Sequence, residues 1–457
     1  MSQSSPQKSD RLGTAPIGKL LITMALPLIA SMLIQAMYNV VDSIFVARVG
    51  QNALNAVSVA YPIQNLMIAI AVGTGVGVST RISHQLGRKD HEGAQQTARH
   101  GLFCAIVASI LFSIIINILA RPFVSMYTSD PTTLEMGVTY LRIIATYSIG
   151  VFVQIIMERL LLSTGRTVFT MWTQLSGAVI NIILDPLLIF GIGPFPKMGV
   201  AGAAVATVIG QIAGAILGIF LNAIYNKEIH ITFRGFRLQG NIIADIYRIG
   251  SATIVIMSIT SFMIGSMNGI LAPYNPLAVN ILGIYFKIER LIFMPVFGIT
   301  NAMVPIISYN YGAEKRRRMI GAIKTSLYLS ISIMIAGTFV IMSWPEWILR
   351  LFDANAEMLR LGVPALRIIS ASFPFAGIAI VLSNVFQAMH RAVYSMIVTI
   401  TRQIGVILPA TWILVHTIGY ESAWYSFLIA EIVALTLILI FYRSIYLNRI
   451  SLVPDRD

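Results

Sequence analysis

Charged residues are scarce in this sequence. Only 11% of its 457 residues are Asp, Glu, Lys or Arg, against about 25% in a typical soluble domain. Hydrophobic residues make up 56%, and the mean hydropathy is +0.79. Long runs such as 49–80 and 249–286 carry no charge at all. Because roughly 20 apolar residues span a bilayer core as a helix, a soluble fold is excluded.

Cysteine and enzyme motifs are also missing. The single Cys104 excludes an internal disulfide, a cysteine-cluster metal site and CxxC redox chemistry. There is no Walker loop, HExxH or GxSxG, and the six histidines form no ligand pair within a helix. We therefore predict no catalytic residue, no metal ligand, no cofactor and no enzyme. The glycine run Gly73-Thr-Gly-Val-Gly77 lies in an apolar segment, where it favours close helix approach over phosphate binding.

Twelve apolar segments predict an all-α polytopic membrane protein. A polar stretch at 226–245 links an N-terminal six-helix lobe, 1–225, to a C-terminal lobe, 246–457. The predicted transmembrane helices lie near 18–46, 53–83, 97–119, 133–162, 167–191, 199–225, 242–270, 277–307, 319–343, 357–388, 392–417 and 422–444.

The two halves repeat one another with a shift of 225 residues. The shift takes Gly73 to Gly298 and Arg166 to Arg391. Each half contains an even number of spans, so both enter the membrane in the same direction. Such parallel repeats are one of the established transporter plans.

Basic residues set the orientation. Most of the 32 Lys and Arg residues, including Arg88, Lys315, Arg391 and Arg402, are assigned to segments on the N-terminal side of the membrane. The positive-inside rule then places both termini in the cytoplasm. The net charge of +13 is accordingly a topology signal rather than a nucleic-acid footprint.

Two buried carboxylates predict an ion site. Ionisable residues within a membrane cost about 2.5–3.5 kcal/mol each, which makes them functional candidates. Asp42 and Asp185 both lie about 30 Å along their helices, and Tyr38 and Asn181 each precede one of them by a helical turn. Low dielectric favours a neutral carboxyl group, so the four residues predict a proton site, or a Na⁺ cage if both acids are ionised. The alternative is that one acid only caps a helix end.

The second half lacks both acids, because the shift of 225 lands on Met267 and Ala410. We therefore predict the ion site in the first half alone.

Other polar residues in the spans predict a substrate cavity. Lys287, Glu289 and Arg290 share the eighth helix, where they either neutralise one another or contact substrate. Pro27 removes a backbone donor from the first helix and is the predicted hinge. The further cavity candidates are Gln35, Gln64, Asn65, Gln154 and Glu158. No role is predicted for Glu431.

The sequence resembles the multidrug and toxic compound extrusion (MATE) family over nearly its whole length. The acid pattern is similar to the DinF-type branch, and the loops are similar to the staphylococcal-type pumps. The residues that carry the resemblance are Ala25-Leu-Pro27, Gln85-Leu-Gly87-Arg-Lys-Asp90, Asn310-Tyr-Gly312-Ala-Glu314 and Asn181-Ile-Ile-Leu-Asp185-Pro186.

The resemblance implies a V-shaped pair of six-helix bundles working by alternating access in a bacterial cytoplasmic (inner) membrane. It implies small amphipathic organic cations or drugs as cargo, exported against H⁺ or Na⁺, with the first-half carboxylates binding the coupling ion. Membrane lipid is an expected partner, while nucleic acid and an obligate protein partner are not. The rivals are a lipid-linked precursor flippase, a metabolite exporter, a membrane-embedded transferase or protease, and a passive channel.

Overall fold

The computed structural model describes residues 11–232 and 236–455. The N-terminal residues 1–10, residues 233–235 of the predicted linker and residues 456–457 lie outside the described residues. Within the described part the chain is predominantly helical, and its connections are short loops and turns.

Ten described helices are long and apolar enough to cross a membrane, and two bent helix pairs pass the same test as pairs. Counting each pair as one span confirms the twelve predicted segments. In chain order, spans 1 to 12 are Ile17–Val49, Gln51–Gly87, His91–Ser125, Pro131–Thr146 with Ile149–Ser163, Thr167–Phe190, Val200–Tyr225, Gly240–Leu271, Pro276–Gly312, Arg316–Ser343, Ala356–Ser370 with Phe373–Ala388, Ala392–Thr417 and Tyr420–Leu452.

The repeat is visible in local geometry. The two bent spans, 4 and 10, lie 225 residues apart and bend by 47° and 44°. The turn after span 2 places Lys89 in the left-handed region at φ 61°, and the turn after span 8 does the same for Glu314 at φ 58°. A non-glycine residue rarely adopts this conformation, so its recurrence at matching positions indicates two copies of one structural plan.

The described chain forms two compact units. Unit 1 contains Leu26–Ile254, and unit 2 contains Gly13–Ala25 together with the chain from Val255 onward. The first residues of span 1 therefore belong to unit 2 and the rest to unit 1. The predicted lobes stay a prediction.

Pro27, the predicted hinge, lies in span 1 two residues beyond the division between units. Its ring removes one backbone donor, but the helix continues through it from Ile17 to Val49. The Ser31 hydroxyl donates to the Pro27 carbonyl at 2.9 Å, which satisfies that acceptor locally.

The glycine run of span 2 brings two helices of unit 1 into close approach, as predicted. A Cβ atom on Gly73 would lie 2.7 Å from the Gly250 carbonyl oxygen of span 7, and one on Gly77 would overlap the Ile246 backbone. A Cβ on Gly75 would meet Arg159 Cγ at 2.7 Å. Only glycine allows this packing.

Candidate functional site

Asp42 of span 1 and Asp185 of span 5 face one another in unit 1. Their carboxyl groups lie within hydrogen-bonding reach, and Asp185 is fully buried. Asp42 Oδ1 and Asp185 Oδ2 are both buried, and neither accepts a hydrogen bond from any described residue. Two ionised carboxylates at this distance repel one another, whereas one shared proton satisfies both. The equal depths predicted for Asp42 and Asp185 from the sequence therefore correspond to a contact between their side chains.

Asn181 and Tyr38 flank this acid pair. Asn181 Nδ2 donates to Asp185 Oδ1 at 3.3 Å and lies 3.4 Å from the Thr207 hydroxyl. The Tyr38 side chain lies close to both acids, but its hydrogen-bond partner is Gln35. Asn181 therefore contacts Asp185 directly, whereas Tyr38 lies near Asp42 and is hydrogen-bonded with Gln35 instead.

Tyr140 is a neighbour of the acid pair that the sequence did not indicate. It comes from the first helix of span 4, is 2% exposed, and lies close to Asp42, Asp185 and Tyr38. Its hydroxyl is hydrogen-bonded with Gln64 of span 2. No local pattern marks this tyrosine, because its partners all come from other spans.

A cavity of about 90 Å³, the first cavity, lies in unit 1 beside the acid pair. Tyr38 and Asn181 line it and also flank the acids, so a ligand in the cavity could act on the pair through them. The predicted residues that line the first cavity are Gln35, Tyr38, Gln64, Gln154, Glu158 and Asn181. Asn65 is half-buried on span 2 but is not among the described lining residues.

Glu158 is the carboxylate of the first cavity, and neutral donors surround it. Gln154 Nε2 and the Thr173 hydroxyl donate to Oε1 at 3.0 and 3.1 Å, and Gln174 Nε2 donates to Oε2 at 2.9 Å. The Glu158 side chain is 7% exposed. The guanidinium of Arg159, the next residue in the chain, lies near enough to attract the carboxylate.

A larger cavity of about 330 Å³, the second cavity, lies in unit 2. Glu289 and Arg290 of span 8 line it. Lys287 does not, since its ammonium group lies 5.7 Å from the centre of the Phe352 ring. Among the described residues, no ion pair joins Glu289 to Lys287 or Arg290. Arg290 nevertheless lies close enough to attract Glu289 electrostatically, so mutual neutralisation and substrate contact both stay open as predictions.

Arg402 and Glu431 form an ion pair that the sequence did not predict. Arg402 was assigned to the cytoplasmic side, but it lies within span 11, on a π-helical segment Thr401–Ile407. Its Nη1 donates to Glu431 Oε1 of span 12 at 2.6 Å. Both line the second cavity, which gives Glu431 the partner that its own helix does not offer.

Histidine, cysteine and carboxylate side chains form no group of three or more suited to a metal ion anywhere in residues 11–232 and 236–455. The buried and half-buried charges instead include the acid pair, Glu158 and the Arg166–Glu228 ion pair in unit 1, and Glu289, Arg402 and Glu431 in unit 2. Twelve spans in two repeated units, each with a polar cavity inside its bundle, define a polytopic membrane transporter.

Comparisons with known proteins agree. A family model described as MatE matches residues 27–187 and 251–413, which is more than half of the chain. The chain is 26% identical over 405 residues to an FAD transporter of Shewanella oneidensis, covering 88% of this chain and 89% of the relative. It is 24% identical over 432 residues to the multidrug export protein MepA of Staphylococcus aureus, covering 94% of each.

Solved structures show the same fold. A MOP superfamily transporter from Pyrococcus furiosus superposes with a TM-score of 0.90 at 23% identity, over 98% of this chain and 99% of that one. A MATE structure in a bent conformation gives 0.91 at 24% identity over the same shares. This chain belongs to the MatE family and is a membrane transporter, not an enzyme.

Proposed function

We propose that this chain exports amphipathic organic cations in exchange for H⁺, and that the Asp42–Asp185 pair binds the exchanged ion. One observation carries the proposal. Three oxygens on these neighbouring side chains are buried and have no donor among the described residues: Asp42 Oδ1, Asp185 Oδ2 and Asn181 Oδ1. Unsatisfied buried acceptors are costly, and a bound cation removes the cost.

Exchange follows from competition for negative charge. When a proton bridges the acids, their repulsion disappears and span 1 can pack against span 5. When the proton leaves, the two carboxylates repel, and the helices favour a second arrangement. A cationic ligand beside Glu158 in the first cavity stabilises the deprotonated arrangement. Because proton and ligand each favour a different arrangement, one bistable element couples them.

Sodium is the alternative ion. Carboxylate and amide oxygens are suitable ligands for either ion, so the donor set alone does not choose. The test is efflux of ethidium from cells, or from vesicles containing the purified protein, under a proton gradient and a sodium gradient imposed separately. We expect efflux when the proton gradient is imposed and none when only the sodium gradient is imposed. Efflux that requires sodium at constant pH would assign the pair to Na⁺, and no efflux under either gradient would contradict the proposed function.

A dinucleotide exporter is the second candidate, because one relative is an FAD transporter at an identity similar to that of the drug pumps. Arg290 and Arg402 in the second cavity could receive a pyrophosphate. The first cavity argues against a dinucleotide as the exported compound, since Glu158 lies there and none of its described lining residues is Lys or Arg. Uptake of FAD and of ethidium into inverted vesicles, measured side by side, distinguishes the two.

We further propose a bacterial cytoplasmic membrane location with both termini inside, supported by the basic bias. Glu92 and Arg317 lie 225 residues apart and are both exposed. Single cysteines at either position, in a Cys104→Ala background, should react only with membrane-permeant thiol reagents. Labelling of either by an impermeant reagent in intact cells would reverse that part of the topology.

A further inference from the structure

A third cavity, of about 260 Å³, lies in unit 2 at the place where three spans begin. Ala278 is close to the start of span 8, Arg360 is close to the start of span 10, and Tyr420 is the first residue of span 12. Even-numbered spans all begin on one side of the membrane, which is the outer side in the proposed topology. No described residue lines both this cavity and the second one, so the third cavity is a separate place in the fold.

Two opposite charges line the third cavity without binding each other. Arg360 and Glu421 are both exposed lining residues. No ion pair within 4 Å joins them, and neither is paired with any other described residue. Guanidinium groups bind phosphate oxygens in a bidentate manner, and a carboxylate binds an ammonium group. The two side chains therefore suit a ligand that carries both charges.

The repeat shows that this arrangement is specific to unit 2. In unit 1, Arg121 Nη2 binds Glu135 Oε1 at 2.8 Å. The shift of 225 exchanges the two signs and places Glu346 and Arg360 at the corresponding positions. Among the described residues, no ion pair joins Glu346 to Arg360 within 4 Å. The pair that forms in unit 1 is thus absent between the matching residues of unit 2, and the Arg360 guanidinium is left for a ligand.

The third cavity becomes apolar toward the interior of the membrane. Ile281 of span 8 and Pro364 and Ile368 of span 10 line it there. Ile368 lies eight residues beyond Arg360 on the same span, which is about 12 Å deeper in a helix. A charged mouth above an apolar wall of this length suits an amphipathic molecule that stands upright in the membrane.

Aromatic side chains of span 12 complete the mouth. Trp424 is 3% exposed, whereas Tyr425 is 48% exposed and offers its ring to a ligand. The Tyr420 hydroxyl accepts a hydrogen bond from Asn275 Nδ2 at 3.2 Å, and Asn275 also caps span 8 through the Leu277 amide. This contact fixes the start of span 12 against the start of span 8. Tyrosine and tryptophan are enriched where a membrane meets water, and their ring faces attract cations.

We propose that the third cavity binds a phospholipid with a phosphoethanolamine headgroup. Arg360 receives the phosphate, and Glu421 receives the ammonium group beside the ring of Tyr425. An acyl chain follows Pro364 and Ile368 toward the membrane interior. The inference goes beyond the proposed export, because it uses neither the acid pair nor the first and second cavities.

Native mass spectrometry of the purified, delipidated full chain tests the site. The protein is titrated in detergent with phosphatidylethanolamine or with phosphatidylglycerol, which has the phosphate but no ammonium group. We expect the wild-type protein to bind phosphatidylethanolamine more tightly than phosphatidylglycerol. Arg360→Gln should weaken binding of both lipids roughly 3- to 10-fold, between the worth of an exposed ion pair and that of a charged hydrogen bond.

Glu421→Gln distinguishes headgroup recognition from a general attraction for lipid. It should weaken phosphatidylethanolamine by a similar factor and leave phosphatidylglycerol unchanged or tighter, because only the ammonium group loses its partner. Arg350→Gln and Glu357→Gln remove exposed charges of unit 2 that do not line the third cavity, and as matched controls they should change neither lipid. Thermal unfolding of each variant in detergent confirms that it is folded.

Three results would overturn the site. The first is binding of phosphatidylethanolamine by folded Arg360→Gln that equals the binding by Arg350→Gln. The second is an equal loss of both lipids in Glu421→Gln. The third is binding of soluble O-phosphoethanolamine as tight as that of the lipid, which would assign the cavity to a free headgroup compound instead. None of these results would bear on export, whereas loss of ethidium efflux under both gradients would contradict the proposed function and leave the lipid site standing.

Discussion

Unit 1 and unit 2 place their cavities at matching positions of the repeat but charge them differently. Gln64 and Gly177 line the first cavity, and the residues 225 positions later, Glu289 and Arg402, line the second. Conversely, the acid pair of unit 1 has no charged counterpart in unit 2. The backbone plan is shared, whereas the ionisable groups are specific to each unit, so each cavity must be assigned its chemistry separately.

The π-helical segment of span 11 changes which residues of spans 5 and 11 correspond. Span 5 is α-helical throughout, while span 11 contains the π-helical Thr401–Ile407. A π turn accommodates one additional residue, so beyond it the counterpart of Asp185 becomes Thr411 and not Ala410, as a constant shift predicts. Thr411 Oγ1 lies 3.2 Å from Met267 Sδ, and Met267 is the counterpart of Asp42. The same two positions touch in both units, as carboxyl groups in one and as uncharged groups in the other.

The largest expected difference between the units is in pumping. Asp42→Asn and Asp185→Asn should each reduce gradient-driven ethidium efflux to the rate of passive leak, because the amide cannot exchange a proton. The control at the matching position of unit 2, Thr411→Val, should pump at nearly the wild-type rate. Efflux is measured in cells, with protein level checked by immunoblot. Near-normal pumping by either folded Asp variant would remove that residue from the coupling site.

A smaller difference is expected in stability. Glu431→Met leaves the half-buried Arg402 guanidinium without its ion-pair partner, which should cost less than the roughly 3–5 kcal/mol of a fully buried pair. Arg402→Met/Glu431→Met should recover most of that loss, since a hydrophobic pair of similar volume replaces the ion pair. Thermal unfolding in detergent follows both variants. A double variant no more stable than the single one would show that the ion pair is not the cause.

The smallest effect is expected at Glu158 of unit 1. Glu158→Gln loses a charge but few contacts, because Gln174 can rotate its amide and offer the Oε1 atom that now has no donor. We expect a stability change below about 1 kcal/mol, together with weaker transport of cations than of neutral drugs. The measurement compares unfolding and the efflux of one charged and one neutral dye. A loss of several kcal/mol would mean that the charge itself holds this site together.

The sequence predicts the fold well because the membrane imposes it. Each span must be long, apolar and internally hydrogen-bonded, so long apolar segments with few charges locate all twelve. It also brings Asp42 and Asp185 together, since helix length fixes depth. The contacts of Arg402 and Tyr140 could not be predicted in this way, because their partners come from other spans. Depth along a helix predicts where a residue lies but not which neighbour it meets.

Proton release on ligand binding is the decisive measurement for the Asp42–Asp185 pair. Tetraphenylphosphonium is added to the weakly buffered purified wild-type protein, and the pH change is recorded. If the Asp42–Asp185 pair holds the exchanged proton, the wild-type protein releases a proton on binding and the Asp185→Asn variant releases none. Equal release from both proteins, with equal probe bound, would contradict the assignment of the exchanged proton to this pair.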